Sequence, residues 1–554
     1  MSFSSNLKYM FISFNCLVSS FLIGCTDNFE TLNTDKYEVN PNELPFTAQF
    51  SKPFTYVYPP HQNLFQFWTN LSVDLFSGYF MTPHNFNGAG NVGYNLNRLF
   101  CSGIYENTYL QLFNNTRMLI KSCDDKGYSD LAGMMRIVQV YTIQMLTDSY
   151  GPMPYRSVIE NEGMNSNSFY YDSQESIYND LFDLIDKAIV GFKESTYDVD
   201  AMKEFDYWCH GDMALWIKVA NQFKLRLAMR IVKVNPTLAR AKAEEAVKGG
   251  VLTAEDNDII VNQGLSNELT RMFEWGDCGI NASLVTIMQG YNDPRLPLYI
   301  TKNQADITAA NGSVIPAGTE YHGIRGGCVL GSKPNQWGNF SSVVCDYATP
   351  FPVMKVSEAY FLRAEGALRG WNMNGSAKEL YEEGIRSSIK HEIVYKSNYV
   401  EGPVAISDED IENYINGVTI QQDYIDPVDP QNNYESLNKV CVKWDEKATN
   451  EEKLQRIITQ KWIALFPLSI EAWAEYRRTG YPKLFPNRIN ESPDKVDTDE
   501  QVRRLIYPEI ELNTNYNEFV NGIGILNKEN SSTKFSGDIG GTRVWWDRAD
   551  KGNF

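Results

Sequence analysis

Histidine is scarce in this chain, and cysteine never occurs in a C-x-x-C pair. The 554 residues include five histidines and nine cysteines. His391-Glu392 begins an H-E-x-x-H motif, but Tyr395 stands where the second zinc ligand is required. A zinc metalloprotease is therefore excluded, and we expect no metal site. A calcium site stays open for so acidic a chain, although no ligand spacing supports one.

The cysteines are too few and too widely spaced for a disulfide framework. Cys16 and Cys25 lie near the N-terminus, and the other seven are scattered over more than three hundred residues. We expect most of them to be buried as small hydrophobic groups. One bridge, between Cys328 and Cys345, stays open.

A complete cofactor or nucleophile motif is also lacking. Gly88-Ala-Gly90-Asn-Val-Gly93 matches G-x-G-x-x-G, but no apolar strand precedes it and no clear helix follows it. No P-loop, G-x-S-x-G or EF-hand loop occurs, so we expect no cofactor. Glycoside hydrolysis needs only two carboxylates, and the 69 acidic residues do not single out a pair. A surface glycoside hydrolase therefore stays an alternative.

Positive charge is in deficit, with 50 basic against 69 acidic residues and a formal net charge of −19. Such a surface repels phosphate backbones, which argues against a nucleic-acid partner. Hydrophobic residues make up 43% and charged residues 21% of the chain, so the body can fold as a globule.

The N-terminus contains an apolar run that is shorter than a membrane-spanning helix. Lys8 precedes the run, which is broken by serine and asparagine and ends in Leu22-Ile-Gly-Cys25. A small residue followed by cysteine is typical of a bacterial lipoprotein signal. We predict a signal peptide over 1–24, lipidation of Cys25, a lipidated tether over 25–45 and a single domain over 46–554.

The helical period recurs along most of the remaining chain. In the segment that follows Asp212, a predicted N-cap, Trp216, Phe223 and Leu227 fall on one face. A helical hairpin of tetratricopeptide type is predicted over 354–392, with its turn at Asn374-Gly375. Helices are also predicted over 102–122, 129–148, 174–193, 238–249, and from near 451 to 480 with an interruption at Pro467.

Three stretches have no helical period and hold many Gly, Asn, Pro and aromatic residues: 76–100, 255–280 and 301–350. Ordered loops of this length in a compact domain are usually functional. Aromatic rings that stack on a ligand, beside polar groups that bond its edge, would form a binding surface there. The candidate ligand-binding residues are Tyr79, Asn85, Phe86, Asn87, Tyr94, Trp275, Arg325 and Trp337.

Several motifs, taken in order, resemble the SusD/RagB family of nutrient-binding outer-membrane lipoproteins. Each motif is modest alone, but their order, the lipoprotein signal and the length make the match specific. Together they cover essentially all of the mature chain. They are LTDSYGPMPY (146–155), NDPRLPLY (292–299), VSEAYFLRAEGALRG (356–370), QKWIALF (460–466), EAWAEYRRTGYP (471–482), RLIYPE (504–509) and WWD (545–547).

This resemblance implies a mainly α fold, in which tetratricopeptide-like helical hairpins carry irregular ligand-binding loops. It implies capture of oligosaccharides or oligopeptides at the outer membrane, on the cell surface, and delivery to a SusC-type TonB-dependent transporter. The expected function is binding without catalysis. A tetratricopeptide-type scaffold that binds only protein stays a further alternative. Arg477 and Arg478 suit salt bridges near a helix C-terminus rather than ligand contacts.

Overall fold

The computed structural model describes residues 46–85, 90–161, 168–261, 264–399 and 405–554. Residues Phe50–Phe554 form one compact unit, and the unit before it ends at Gln49 with the 3₁₀ turn Phe46–Gln49. The predictions for Cys25, for the tether 25–45 and for Phe86 and Asn87 lie outside the described residues.

Within these ranges, twelve α-helices of eight or more residues form the scaffold. They are α1 (Asn114–Lys126), α2 (Ser129–Tyr150), α3 (Gln174–Lys193), α4 (Met213–Arg230), α5 (Pro236–Gly249), α6 (Ala282–Gly290), α7 (Val356–Leu368), α8 (Ala377–Tyr399), α9 (Asp408–Ile415), α10 (Asn450–Leu465), α11 (Ser469–Thr479) and α12 (Tyr516–Glu529).

Shorter helical pieces lie between them. The α-helical ones are Ser51–Thr55, Gln62–Phe65, Val73–Phe76, Gly103–Asn107, Arg156–Glu160, Val199–Met202, Glu268–Glu274, Leu296–Tyr299 and Glu509–Thr514. Gln66–Asn70 and Thr108–Phe113 are π-helical, and Gly90–Gly93, Leu99–Cys101, Gln336–Asn339 and Pro430–Asn432 are 3₁₀ turns.

In the described part of the chain, ten short strands form five antiparallel two-stranded ribbons rather than a larger sheet. The pairs are β1 (Phe80–Met81) with β5 (Gly279–Ile280), β2 (Met153–Pro154) with β3 (Tyr171–Asp172), β4 (Ile259–Val261) with β10 (Phe351–Met354), β6 (Ile300–Asn303) with β9 (Ser341–Val343), and β7 (Ile307–Thr308) with β8 (Val314–Ile315).

The helices pack as successive antiparallel neighbours, which confirms a mainly α fold built from tetratricopeptide-like hairpins. Helices α1 to α5 stack in chain order, α4 also contacts α7, and α7 packs between α8 and α10. Indole rings fill the space between these layers, because Trp216, Trp462, Trp473 and Trp546 are fully buried. Among the described residues no helix is both long and apolar enough to cross a bilayer.

Most predicted helices are confirmed. The Asp212 side chain caps α4 by accepting a hydrogen bond from the Leu215 N–H at 3.0 Å. The hairpin over 354–392 is α7 and α8, and Asn374 in its turn has a φ of 53°. Pro467 separates α10 from α11 as predicted. The expectation of no helix in 255–280 was wrong for Glu268–Glu274, which has too few turns to show a period and is capped by Asn267.

The described cysteines are all free thiols, so the bridge left open between Cys328 and Cys345 is not formed. The two residues of the incomplete H-E-x-x-H motif, His391 and Glu392, are in contact with charged side chains. His391 Nδ1 lies 3.3 Å from Asp258, and the Glu392 carboxylate pairs with Lys355. Over the described ranges no cluster of three or more His, Cys, Asp or Glu side chains could hold a metal ion.

Charged side chains from the scaffold helices meet in a buried network. Arg226 donates to Glu358 at 2.9 and 2.5 Å, and Arg230 to Glu471 and Glu475 at 2.5 and 2.6 Å. Burial acts to raise the pKa of Glu475, but the charges of Arg478, Lys461 and Arg230 hold it well below its usual value. The network therefore consists of ionised groups that depend on one another.

Glu529 gives the first testable expectation, a pH effect on stability. It ends α12, and its Oε1 accepts from the Gln174 N–H at 3.0 Å at the start of α3. Burial raises the pKa of Glu529 to about 8. Protonated Glu529 therefore stabilises the folded protein. This contribution is fully present below the unfolded-state pKa near 4.5 and is lost as pH rises through the folded-state pKa of about 8.

Replacing Glu529 with glutamine should remove this loss, because glutamine keeps the acceptor and carries no charge. As the pH rises from 5 to 8, the free energy of unfolding of the wild type should decrease. The decrease should be smaller in Glu529→Gln, by a difference on the order of 3 kcal/mol. Urea unfolding at the two pH values measures the difference. The exposed Glu409→Gln is the control, and parallel pH profiles for wild type and Glu529→Gln would contradict the expectation.

Candidate functional site

The three long loops predicted from the sequence come together in space. Strand β1 of the first loop pairs with β5 of the second. Ile324 of the third loop joins them, because its N–H donates to the Ile280 carbonyl at 2.8 Å and its own carbonyl accepts from the Ala282 N–H at 3.0 Å. Side chains from all three loops can therefore contribute to one surface, which we call the loop surface.

Asp277 is the centre of the loop surface, and 6% of it is exposed. Its Oδ2 accepts from Gln66 Nε2 at 2.9 Å, and its Oδ1 lies 3.0 Å from His84 Nε2 and 2.5 Å from Lys333 Nζ. Gly276, with a φ of 69°, ends the preceding helix in a left-handed conformation, and the Asp277 N–H turns back to the Met272 carbonyl at 3.1 Å. The carboxylate is thereby placed where all three partners reach it.

Trp275 lies beside this centre with 36% of its surface exposed. The Lys333 ammonium donates to the Trp275 carbonyl at 2.8 Å as well as to Asp277, so the backbone that carries the ring is fixed from the third loop. Asn85 is exposed and follows His84 directly in the first loop. An exposed indole ring on a fixed backbone is the arrangement expected of a stacking surface.

Trp337 belongs to the same loop as Lys333 and is half-buried. Its Nε1 donates to Asp426 Oδ2 at 3.0 Å, which anchors one edge of the ring. Two residues earlier, the Asn335 Nδ2 donates to the Pro83 carbonyl at 2.9 Å and its Oδ1 accepts from the Gly338 N–H at 3.1 Å. Trp337 is thus attached to the first loop as well as to Asp426.

Three predicted ligand-binding residues are buried, so the prediction that they contact a ligand was wrong. Tyr79 is fully buried, and its hydroxyl donates to the Trp462 carbonyl. Tyr94 is buried with a φ of 67°. Arg325 is also buried, since it donates to the Pro486 carbonyl at 3.0 Å and lies 4.1 Å from the centre of the Tyr434 ring. Tyr79 thus anchors the first loop to α10, and Arg325 joins the third loop to the segment that follows α11.

Sequence reasoning missed the residues that hold the loop surface together. Along the chain, Asp277 is 193 residues from His84 and 56 residues from Lys333. No local motif therefore joins these three residues. The one available signal was the Trp275-Gly-Asp277 sequence, in which a turn residue places an acid directly after an aromatic ring.

Asp277 gives the second testable expectation. Alanine at this position would remove the acceptor of the buried Gln66 amide, the carboxylate contact of His84 and the counter-charge of Lys333, at a cost of about 2–4 kcal/mol. Hydrogen exchange should quicken in the backbone around Trp275 and 331–337, while α2 and α3 stay protected. Asp306→Ala, an exposed carboxylate in the third loop, serves as the control. Unchanged exchange around Trp275 in Asp277→Ala would contradict Asp277 as the centre.

An interior cavity of about 50 Å³ is lined by scaffold residues such as Tyr58, Trp68 and Asp74, together with Phe80 and Leu269 of the first two loops. It has room for a few water molecules. Burial raises the pKa of Asp74 in its wall to about 6. A cavity of this size does not admit a sugar ring, so the loop surface is the better candidate for ligand binding.

Comparison with known proteins gives a consistent result. Residues 27–547 match the SusD-like family, described as SusD and RagB outer membrane lipoprotein. A chitin-binding SusD homologue from Flavobacterium johnsoniae is 34% identical, with a TM-score of 0.80 over 92% of this chain and 100% of that one. A SusD homologue from Bacteroides thetaiotaomicron VPI-5482 is 30% identical, with a TM-score of 0.79 over 91% and 99% of the two chains. No match is found among curated proteins.

Proposed function

Because the chain belongs to the SusD-like family of outer-membrane lipoproteins, we propose that it captures glycans at the cell surface and delivers them to a SusC-type TonB-dependent transporter. The observation that supports capture is the convergence of three loops on Asp277, which the exposed Trp275 closely precedes along the chain. The half-buried Trp337 lies on the same loop as Lys333, which pairs with Asp277. Aromatic rings stack on the apolar faces of sugars, and the adjacent amides bond their hydroxyl groups.

A glycan is favoured over an oligopeptide as the ligand. One similar structure, the SusD homologue from Flavobacterium johnsoniae, is of a chitin-binding protein. Chitin oligosaccharides are therefore the first ligands to test, followed by other neutral oligosaccharides and by peptides.

Calorimetric titration of the purified protein with this panel tests the capture step. Saturable binding of an oligosaccharide is the expected result, and binding of peptides alone would overturn the glycan assignment. The same mixtures should be assayed for new reducing ends after long incubation. Their appearance would establish the alternative, a surface glycoside hydrolase.

The partner and the location are tested in the native membrane. Affinity purification of the tagged protein from solubilised outer membranes should bring down a large β-barrel transporter. Protease added to intact cells should remove the domain. A chain that stays protected until the outer membrane is broken would face the periplasm, and capture at the cell surface would then be excluded. Purification of the β-barrel partner without any glycan or peptide affinity would favour the protein-binding scaffold.

A further inference from the structure

A second cleft, distinct from the loop surface, runs beside the C-terminal end of α11 and holds about 450 Å³. Seven of the nine charged residues that line it are lysine or arginine. The chain as a whole carries a formal net charge of −19, so this concentration of positive charge runs against the general composition. Cations gathered in one place repel each other unless anions lie among them.

Four of the arginines in the lining already have carboxylate partners. Arg478 pairs with Glu365 at 2.6 Å, and Arg503 pairs with Asp547 at 2.6 Å. The other two pair with Glu500, Asp547 and Asp550. These four residues form the neutralised wall of the cleft and need no further anion.

Three further cations in the lining have no carboxylate within ion-pairing distance among the described residues: Lys233, Arg477 and Lys483. Arg477 is 2% exposed and donates to the carbonyls of Asp148 and Arg503, while its Nη2 is buried without a hydrogen-bond partner. Asp499, an acid that also lines the cleft, can neutralise the charge of one of these three cations. The cleft therefore retains an excess of positive charge.

We propose that this cleft binds a small oxyanion, namely a carboxylate, sulfate or phosphate group, between Lys233 and Lys483, beside Arg477. Cationic side chains that converge without counter-charges bind such groups by charge-assisted hydrogen bonds. The half-buried Tyr434 and Leu437 supply an apolar wall, so an oxyanion carried on a sugar ring fits as well as a free one. The site is independent of the loop surface and of its ligand.

The binding should weaken as pH rises. Burial and the charge of Arg478 lower the pKa of Lys233 to about 8, with Arg503 and Arg369 acting in the same direction and Asp547 against them. Lys233 is thus mostly charged at pH 7 and mostly neutral at pH 9.5. Since a bound anion favours the charged form, affinity for it should fall as the pH passes through about 8.

Calorimetric titration of the purified protein at constant ionic strength tests the proposal with sulfate, phosphate, glucuronate and uncharged glucose. We expect saturable binding of at least one of the three anions at pH 7 and none of glucose. Tighter binding of glucuronate than of sulfate would identify an acidic sugar as the source of the oxyanion. The reverse order would identify the free anion. Failure of all three anions to bind would overturn the proposal.

Matched variants locate the site. Lys233→Gln and Lys483→Gln should each weaken anion binding at least fivefold, and the exposed Lys528→Gln, outside the cleft, should leave it unchanged. Both lysines lie on the cleft wall and not in the core, so these variants should fold. The double alanine variant at Trp275 and Trp337 should keep full anion affinity, which separates this site from the loop surface. Anion affinity that is equal in wild type and in the double Lys233→Gln, Lys483→Gln variant would overturn the proposal.

Discussion

Replacing both Trp275 and Trp337 with alanine is expected to lower affinity for the glycan by tenfold to a hundredfold. Trp275 exposes a ring on a backbone held by Lys333, and Trp337 is held at one edge by Asp426. Each aromatic contact with a flat apolar face contributes about 0.5–1.5 kcal/mol beyond the burial of its area. Two such rings therefore contribute about 1–3 kcal/mol. A tenfold to hundredfold loss of affinity corresponds to about 1.4–2.8 kcal/mol, which lies within that interval.

The controls separate stacking from anchoring. Trp337→Phe loses the bond to Asp426 but keeps an aromatic face, so it should retain more affinity than Trp337→Ala. Trp371→Ala removes a half-buried indole from the turn that follows α7 and should bind glycan as the wild type does. Titration with the oligosaccharide that binds best measures all of these variants. Equal affinity of the double variant and the wild type would exclude the loop surface as the glycan site.

Tyr94 does not belong in this experiment, although the sequence placed it among the candidates. Its ring is buried, and burial raises its pKa far above the usual tyrosine value. Alanine there would open a core cavity at a cost of about 3–5 kcal/mol and would change the loops without reporting on a ligand contact. All three residues are aromatic. Trp275 is the candidate for ligand contact because it is exposed, whereas Tyr79 and Tyr94 are buried.

The helical scaffold could be predicted because its signals are local. Asp212 and the period after it determine where α4 begins, and Pro467 determines where α10 ends, within a few residues of sequence. The long loops could also be located, since they lack that period. Which loop residues meet could not be predicted, because Asp277 finds His84 and Lys333 only after the scaffold has brought distant segments together.

The motifs that carry the family resemblance prove to be structural. Glu358 and Glu365 come from VSEAYFLRAEGALRG, Lys461 from QKWIALF, and Glu475 and Arg478 from EAWAEYRRTGYP. All five belong to the buried charge network, and Arg295 of NDPRLPLY is fully buried in a similar pair with Asp293 at 2.6 Å. These residues therefore specify how α7, α10 and α11 pack, and none of them belongs to the loop surface.

Because of this network, Glu475→Ala should be the most destabilising single substitution considered for the scaffold. The variant leaves Arg230, Lys461 and Arg478 buried with one negative charge fewer among them. Removing one member of a buried ion network costs about 3–5 kcal/mol, since the remaining charges stay out of water without compensation. Urea unfolding at pH 7 measures this loss.

The surface pair of Arg386 and Glu383, 3.7 Å apart and partly exposed, is the matched control. Glu383→Ala should cost less than about 1 kcal/mol, because water already screens that pair.

The stability of Glu475→Ala at acidic pH provides a second measurement. Since the pKa of Glu475 is lowered in the folded protein, its contribution is present above the unfolded-state value near 4.5 and is lost as pH falls through the folded one. The difference in the free energy of unfolding between wild type and Glu475→Ala should therefore shrink below pH 4. At pH 7, a difference under 1 kcal/mol would mean that the network does not hold α7, α10 and α11 together.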